Sequence, residues 1–326
     1  TKDLLAAVLR RDRPTHASVR SFNNEIGVPL TLLAAPDATR AVVIEMGARG
    51  VGHIATLCRP ARPTVGIVTA VGKAHTSEFG SVEAVALGKG ELVEALPSSG
   101  HAVLNADNPH VAAMADRTDA TVITFGAAGE IRAEAIVVGD DLVPTFRLVS
   151  PWGAAEVRLG VQGDHLIPNA LAAAGAALPL GVSLDDVAAG LAEPDRSPMR
   201  MAVHTAPSGA RVIDDTYNAN PLSVAGAIDA LAGVPAERRI AVLGMMAELG
   251  DSSVADHERM LRLATERGID VIAVDAAEYG AGARHVDDIA EAEAALGALG
   301  ASDAVLVKGS RIAALERLVV SLTRAR

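Results

Sequence analysis

The stretch "TVGIVTAVGKAHTSEFGSVEAVALGKGELVEALPSSGHAVLNAD", residues 64–107, decides the fold. It opens with an aliphatic run over 64–72, which reads as a buried strand. From Ser81 the apolar positions Val82, Val85 and Ala86 recur at helical spacing as far as Leu96, and Pro97 follows the end. "HAVLNAD" (101–107) is then a second strand. Strand, helix, strand in this order is the unit of a parallel sheet with helices on its faces. Lys89 sits late on that helix between two glycines, and His75 lies in the loop after the first strand.

The alternation extends in both directions. "TKDLLAAVLRR" (1–11) is an amphipathic helix with apolar residues at 4, 5, 8 and 9, and "AVVIEMG" (41–47) is a strand ending in an acid. "NPHVAAMADR" (108–117) predicts a short helix and "ATVITFG" (120–126) a strand. Over about 131–160 the pattern changes to "AEAIVVG", "LVPTFRLVS" and "AAEVRLGV", three successive strands of a small antiparallel flap. Two helices follow, "IPNALAAAGAALPLG" and "LDDVAAGLAE". The linker "EPDRSP" (193–198), with two prolines and three charges, marks a domain boundary. The α/β alternation then restarts with strands at "RVIDD", "RIAVLGM", "VIAVD" and "AVLVKG" and a last helix from Ile312 to Thr323. The reading is two α/β domains, 1–193 and 194–326.

Composition limits the function classes. The 326 residues are 50% hydrophobic but only 2% aromatic, so the core is aliphatic, as in layered α/β folds. A net charge of −11 argues against a nucleic-acid surface. One cysteine, Cys58, leaves no intrachain disulfide and leans to the cytoplasm. No apolar run is long enough for a membrane span, and the start lacks the features of a signal peptide. The first residues read as the inside of a helix, so the chain is expected to continue upstream.

Ligands of open α/β sheets bind beyond the carboxyl ends of the strands. The residues there are Glu45, His75, Asn105, Asp107, Asp214, Asp215 and Lys308. Each alone is more often a turn or helix cap. Glu45 and His75 on neighbouring strand ends could share a metal, but Mg²⁺ prefers oxygen and would need a further donor. "KGSR" (308–311) opens the last helix as either an anion site or an N-cap by Ser310, and "DDTYNANP" (214–221) leads into another helix with residues that cap well.

Eight stretches together resemble the Mur ligases: "SFNNEIGVPLTLL" (21–33), "VIEMGARGVGHIA" (43–55), "AHTSEFGSVEAVALGKGE" (74–91), "VLNADNP" (103–109), "GDHLIPNALAA" (163–173), "DDTYNANP" (214–221), "MAELGD" (246–251) and "VKGSR" (307–311). They occur in family order across nearly the whole chain. The nearest branch is the one that joins D-alanyl-D-alanine to UDP-N-acetylmuramoyl-tripeptide. The resemblance implies a central ATPase-type parallel-sheet domain and a Rossmann-like C-terminal domain, in a cytoplasmic, monomeric enzyme of peptidoglycan precursor synthesis. It implies ATP and Mg²⁺ as cofactors, and an acyl phosphate attacked by an amine. By resemblance, Glu45, His75 and Lys89 form the catalytic metal site, with Lys89 carried as a carbamate that supplies the missing oxygen. An amine must be neutral to react with CO₂, so the site is expected to lower the pKa of Lys89. Asn169 corresponds to an adenine contact, Arg200 to a phosphate-binding arginine and Asp215 to a ribose contact. Asn23 and Asn24 fall in the loop facing the UDP-linked peptide, and Asn218, Asn220, Lys308, Ser310 and Arg311 in substrate-facing segments of the C-terminal domain.

The chain departs from the family at Ala70, where asparagine is usual, at Thr76, where leucine is usual, at Met245, where an acid is usual, and at Leu166, where a polar residue is common. These departures keep open a related ligase for another acid and amine in specialised metabolism. A third reading is a non-catalytic binding protein on the same scaffold. The family's phosphate loop, G-x-x-G-K-[ST], falls before Thr1. The 326 residues alone are therefore expected to hydrolyse ATP poorly or not at all, and robust ligation by them in a coupled phosphate assay would contradict this.

Overall fold

The computed structural model describes residues 1–19, 22–72, 79–195 and 199–324. The chain divides into two compact units: Thr1–Gly139, Val143–Val161 and Leu166–Ser197 form one, and Asp140–Leu142, Gln162–His165 and Pro198–Arg326 the other. A linear cut at 193/194 is thus replaced by a later main boundary and two short excursions into the second unit.

The first unit opens with α1 (Lys2–Asp12), β1 (Thr15–Ala17), α2 (Gly27–Leu33), β2 (Ala41–Val43) and α3 (His53–Ala61). β1 and β2 pair in parallel. Next come β3 (Val65–Val68), α4 (Val82–Glu94), β4 (His101–Asn105), α5 (Pro109–Ala112) and β5 (Thr121–Phe125), with β3, β4 and β5 in one parallel sheet. Its two faces follow the period of two in a strand. Ala102 and Leu104 pack with Val85 and Val93 of α4, while Val103 and Ile123 enter the core that contains α6 (Ile167–Ala177). The flap is as expected: β6 (Arg132–Val138), β7 (Pro144–Ser150) and β8 (Gly153–Arg158) pair antiparallel. α7 (Leu184–Ala192) completes the unit.

α4 starts where its sequence says. The Ser81 hydroxyl accepts from the Ala84 N–H at 3.1 Å, an N-cap worth about 1 kcal/mol. Pro97 lies just past its end.

The second unit is a six-stranded sheet of β9 (Ala202–Thr205), β10 (Arg211–Asp215), β11 (Arg238–Gly244), β12 (Asp270–Val274), β13 (Arg284–Val286) and β14 (Asp303–Lys308), in the order β13-β12-β11-β14-β10-β9. Every pair is parallel except β9 with β10. β14 is buried along its whole length. Ala304 and Leu306 face α8 (Pro221–Ala232) and α9 (Ser253–Glu266), and Val305 and Val307 face α10 (Ile289–Leu296) and α11 (Glu316–Thr323). The last helix starts four residues later than expected. Arg311–Ala313 is a single 3₁₀ turn, and Ala314 takes a left-handed φ of 48° that ends it before α11 begins.

One close approach is decisive for packing in the first unit. A Cβ at Gly190 of α7 would lie 2.5 Å from the Cα of Val8 in α1, a backbone atom that no rotamer change can move. Gly190→Ala should therefore lower stability by about 1–3 kcal/mol in urea unfolding despite its better helix propensity. An unchanged midpoint would show that the two helices can part without loss.

Candidate active site

In the first unit, the site forms around the chain that leaves β3. Only Val65–Val68 pairs as strand, and the next three carbonyls are taken by side chains. Asn105 donates to Thr69 O at 2.8 Å, Lys89 Nζ to Ala70 O at 2.7 Å, and Asn108 to Val71 O at 2.8 Å. Lys89 is half-buried, and desolvation pushes its pKa down. Because Ala70 contributes its carbonyl, its lack of an amide side chain leaves this bond in place. His75 and Thr76 lie outside the described residues.

The two glycines beside Lys89 have separate causes. A Cβ on Gly88 would lie 2.7 Å from the Phe79 ring, and one on Gly90 would lie 1.8 Å from Arg117 Nη1. Arg117 lies against α4, donating to Ala86 O at 3.1 Å and Leu87 O at 3.0 Å and pairing with Glu94. The small residues let a guanidinium and a ring reach the helix that carries Lys89.

Glu45 follows β2 and is held by the preceding loop. Asn23 Nδ2 donates to its Oε1 at 3.0 Å, its own N–H donates to Ser18 Oγ at 3.3 Å, and the Gly47 N–H donates to Asn23 O at 2.8 Å. Asn24 accepts from the Ile26 and Gly27 N–H groups and so caps the turn into α2. Asn169, on α6, accepts from the hydroxyl of Thr1, the cap residue of α1. Asn105 Oδ1 also accepts from the Asp107 N–H at 2.9 Å, and the Asp107 carboxylate accepts from Ala127 and Ala128 N–H at 2.7 and 2.9 Å. Glu91, two residues after Lys89 on α4, is buried and accepts from the Gly52 and Ala55 N–H groups. Burial and this carboxylate push the Cys58 thiol up to about 11, so it is an inert core thiol.

Among the described residues no group of three or more His, Cys, Asp or Glu could hold a metal ion. Toward Mg²⁺, which prefers oxygen, Glu45 offers a carboxylate, and Lys89 would offer an oxygen donor only with its amine carbamylated.

In the second unit, the carboxyl ends of β10 and β14 stand in register, Asp215 opposite Lys308. The two side chains form a buried ion pair, and Lys308 also donates to Asn218 O at 2.8 Å. Burial raises the Asp215 carboxyl and Lys308 opposes that rise. Asp215 also accepts from the Met201 N–H at 3.1 Å, and Met199 O accepts from the Tyr217 N–H at 3.0 Å. Met199 and Met201 have φ of 62° and 53°, so Arg200 sits between two left-handed residues, its guanidinium 4.1 Å from the centre of the Tyr217 ring. Such backbone persists where its surroundings over-determine it. Arg311 pairs with Glu316 at 3.1 Å and reaches Met199 Sδ.

The two loops of resemblance in this unit divide their labour. Asn220 and Ser223 form a reciprocal capping box at the start of α8. Ser310 is not the side-chain cap of a helix, contrary to the expectation for "KGSR". Its Oγ accepts from Ala247 N–H at 2.8 Å, and its N–H donates to Met245 O at 2.9 Å. Lys308 is committed to Asp215, and a 3₁₀ turn stands where the start of the helix was expected. The Met245 contact is again a backbone one, indifferent to the missing acid.

The description "Mur ligase middle domain" fits residues 1–177, and "Mur ligase, glutamate ligase domain" fits residues 199–311. The UDP-N-acetylmuramoyl-tripeptide--D-alanyl-D-alanine ligase of Mycobacterium tuberculosis (strain ATCC 25618 / H37Rv) is 43% identical over 97% of this chain and 69% of its own. The ligase of the same name from Escherichia coli (strain K12) is 36% identical over 98% of this chain and 74% of its own. Among solved structures, MurF from Acinetobacter baumannii superposes with a TM-score of 0.91 at 30% identity, covering 99% of this chain and 73% of that one. MurF from Thermotoga maritima in complex with ADP gives a TM-score of 0.89 at 26% identity, covering 99% and 76%.

The ion pair yields a test with a pH signature. Lys308→Met leaves Asp215 buried without its cation, so its folded pKa rises further above the unfolded value. Stability is then kept below the unfolded pKa, about 3.9, and lost as pH climbs through the folded one. Urea unfolding should show a deficit of about 3–5 kcal/mol at pH 7 that narrows toward pH 4. A deficit independent of pH would mean that Asp215 does not depend on Lys308.

Proposed function

The chain belongs to the Mur ligase family, and from that premise we propose that it acts as the ATP-dependent ligase that joins D-alanyl-D-alanine to UDP-N-acetylmuramoyl-tripeptide. The observation that carries the reading is Lys89: a half-buried amine with a lowered pKa, on a helix made to admit its neighbours, matching the lysine that the family's members carry as a carbamate. The relatives' shared name supports the substrates, and the ADP complex of the Thermotoga maritima protein supports ATP.

In this reading the carboxylate of the tripeptide takes the γ-phosphoryl group of ATP, and the amine of the dipeptide attacks the acyl carbon, releasing phosphate. Two anions must meet, so the site works by neutralising charge and fixing orientation. Glu45 and carbamylated Lys89 would hold Mg²⁺, with His75 as a third ligand. The metal when bound supplies Lewis-acid neutralisation of the phosphate oxygens. A carbamate keeps one N–H on its nitrogen, so Lys89 can retain its bond to Ala70 O while presenting oxygen. Asn23, by donating to Glu45 Oε1, leaves the other carboxylate oxygen for the ion. By resemblance, Arg200 would contact phosphate, Asn169 adenine and Asp215 ribose. Asn24, Asn218, Asn220, Lys308, Ser310 and Arg311 shape the substrate-facing loops, several of them through backbone contacts. A cytoplasmic monomer suits soluble nucleotide-linked substrates; among the described residues no helix is long and apolar enough to cross a membrane.

The test is ligation by the full-length protein. Wild type should form the muramoyl pentapeptide from the tripeptide, D-Ala-D-Ala and ATP, and Lys89→Ala should remove most of that activity in a protein that still folds, its melting temperature lowered only by the loss of the donor to Ala70 O. Product from a different acid or amine, and none from these, would assign the site to another ligation; near-normal turnover of Lys89→Ala would remove the carbamate role.

A further inference from the structure

Among the described residues of the first unit, Glu91 is the one buried charged side chain. Its partners are two backbone N–H groups, one carboxylate oxygen on Gly52 and the other on Ala55 at 2.9 Å. Both belong to the start of α3, where the first N–H groups of a helix have no internal acceptor. Gly52, the cap residue there, has φ of 92° and no side chain to offer. A carboxylate from α4 therefore does what a cap side chain would do. At about 100° per residue, Glu91 and Lys89 project from nearly opposite sides of α4. One side reaches the start of α3, the other reaches Ala70 O.

The chain between Glu45 and α3 is short, and it is packed as well as capped. Ile44, Met46 and Ala48 lie against the cluster of Ile54, Leu57 and Cys58. Asn23 fixes the other end of this segment at Glu45 and Gly47. A pull on the α3 start is thus a pull on the segment that holds Glu45.

We infer that Glu91 is a positioning residue that couples the helix of Lys89 to the loop of Glu45, by accepting both N–H groups at the start of α3. The inference rests on the reading of Glu45 and Lys89 as one metal site. Glu91 touches neither substrate nor metal; it sets the distance between two groups that do. A cap of purely structural value would affect stability alone. A positioning residue also affects how readily the site takes up CO₂ and Mg²⁺.

Glu91→Gln keeps one acceptor oxygen and loses the other, so it loosens the link with little change in volume. In the full-length enzyme, half-saturating Mg²⁺ for ligation should rise roughly tenfold or more, as for partners that orient metal ligands, with kcat at saturating Mg²⁺ changed far less. Protein equilibrated with ¹³C-bicarbonate should show a weaker lysine-carbamate ¹³C signal than wild type at the same bicarbonate. The proposal is overturned if the Mg²⁺ dependence and the ¹³C signal are unchanged, whatever happens to the melting temperature. A check that needs no variant is hydrogen exchange of the wild-type protein: the Gly52 and Ala55 amides should be protected, and exchange at loop rates would overturn the contact itself. Lys89→Ala separates the two levels. If it abolishes the ¹³C signal and ligation while Glu91→Gln alters neither, only the Glu91 assignment falls. If it ligates normally, the metal-site reading is wrong and the coupling falls with it.

Discussion

Three consecutive carbonyls leave β3 with no strand to pair with, and a buried carbonyl without a donor is costly. Asn105, Lys89 and Asn108 supply the donors, each from a different element. This one requirement brings the end of β4, the middle of α4 and the start of α5 to a single point. It also places a lysine amine among backbone groups rather than in water, which is the condition for its lowered pKa. The glycines at 88 and 90, the ring of Phe79 and the guanidinium of Arg117 follow from the need to pack that helix closely.

The second unit answers a comparable problem with charge. Parallel strands β10 and β14 end side by side, and their last residues, Asp215 and Lys308, neutralise each other inside the protein. The pair then organises what surrounds it. Lys308 takes the Asn218 carbonyl, Asp215 takes the Met201 N–H, and the left-handed turns at Met199 and Met201 hold Arg200 over Tyr217. Residues that resemblance marks as substrate contacts also serve as braces: Asn220 caps a helix, and Ser310 joins two loops.

Much of this was legible in the sequence because it is periodic or local. Aliphatic runs located the core strands, Ser81 and Pro97 bracketed α4, and the flap at 131–160 announced itself by a change of pattern. The short strands β1, β9 and β13, of three or four residues, carry too little alternation to read. The run 64–72 looked like one strand, but side chains take over from the sheet after Val68, and no local pattern records that. The last helix begins at Glu316 rather than Ile312, and nothing in "RIAALE" signals the left-handed alanine at 314 that delays it. Lys89 was legible as unusual, and its role came from resemblance; its partner Ala70, 19 residues away, did not. Glu91 gave no signal beyond being an acid on a helix, since its partners lie 36 and 39 residues earlier in the chain.

The central claim is that Glu45 and Lys89 serve one metal ion, with Lys89 as a carbamate. Diffraction from crystals of the full-length protein grown with bicarbonate and Mn²⁺ tests it most directly, because manganese scatters anomalously and stands in for Mg²⁺. The account predicts an anomalous peak bound by a Glu45 oxygen and by a carbamate oxygen on Lys89, with His75 completing the set. A peak that touches Glu45 while Lys89 remains an unmodified amine on Ala70 O, or a peak at neither residue, would contradict it.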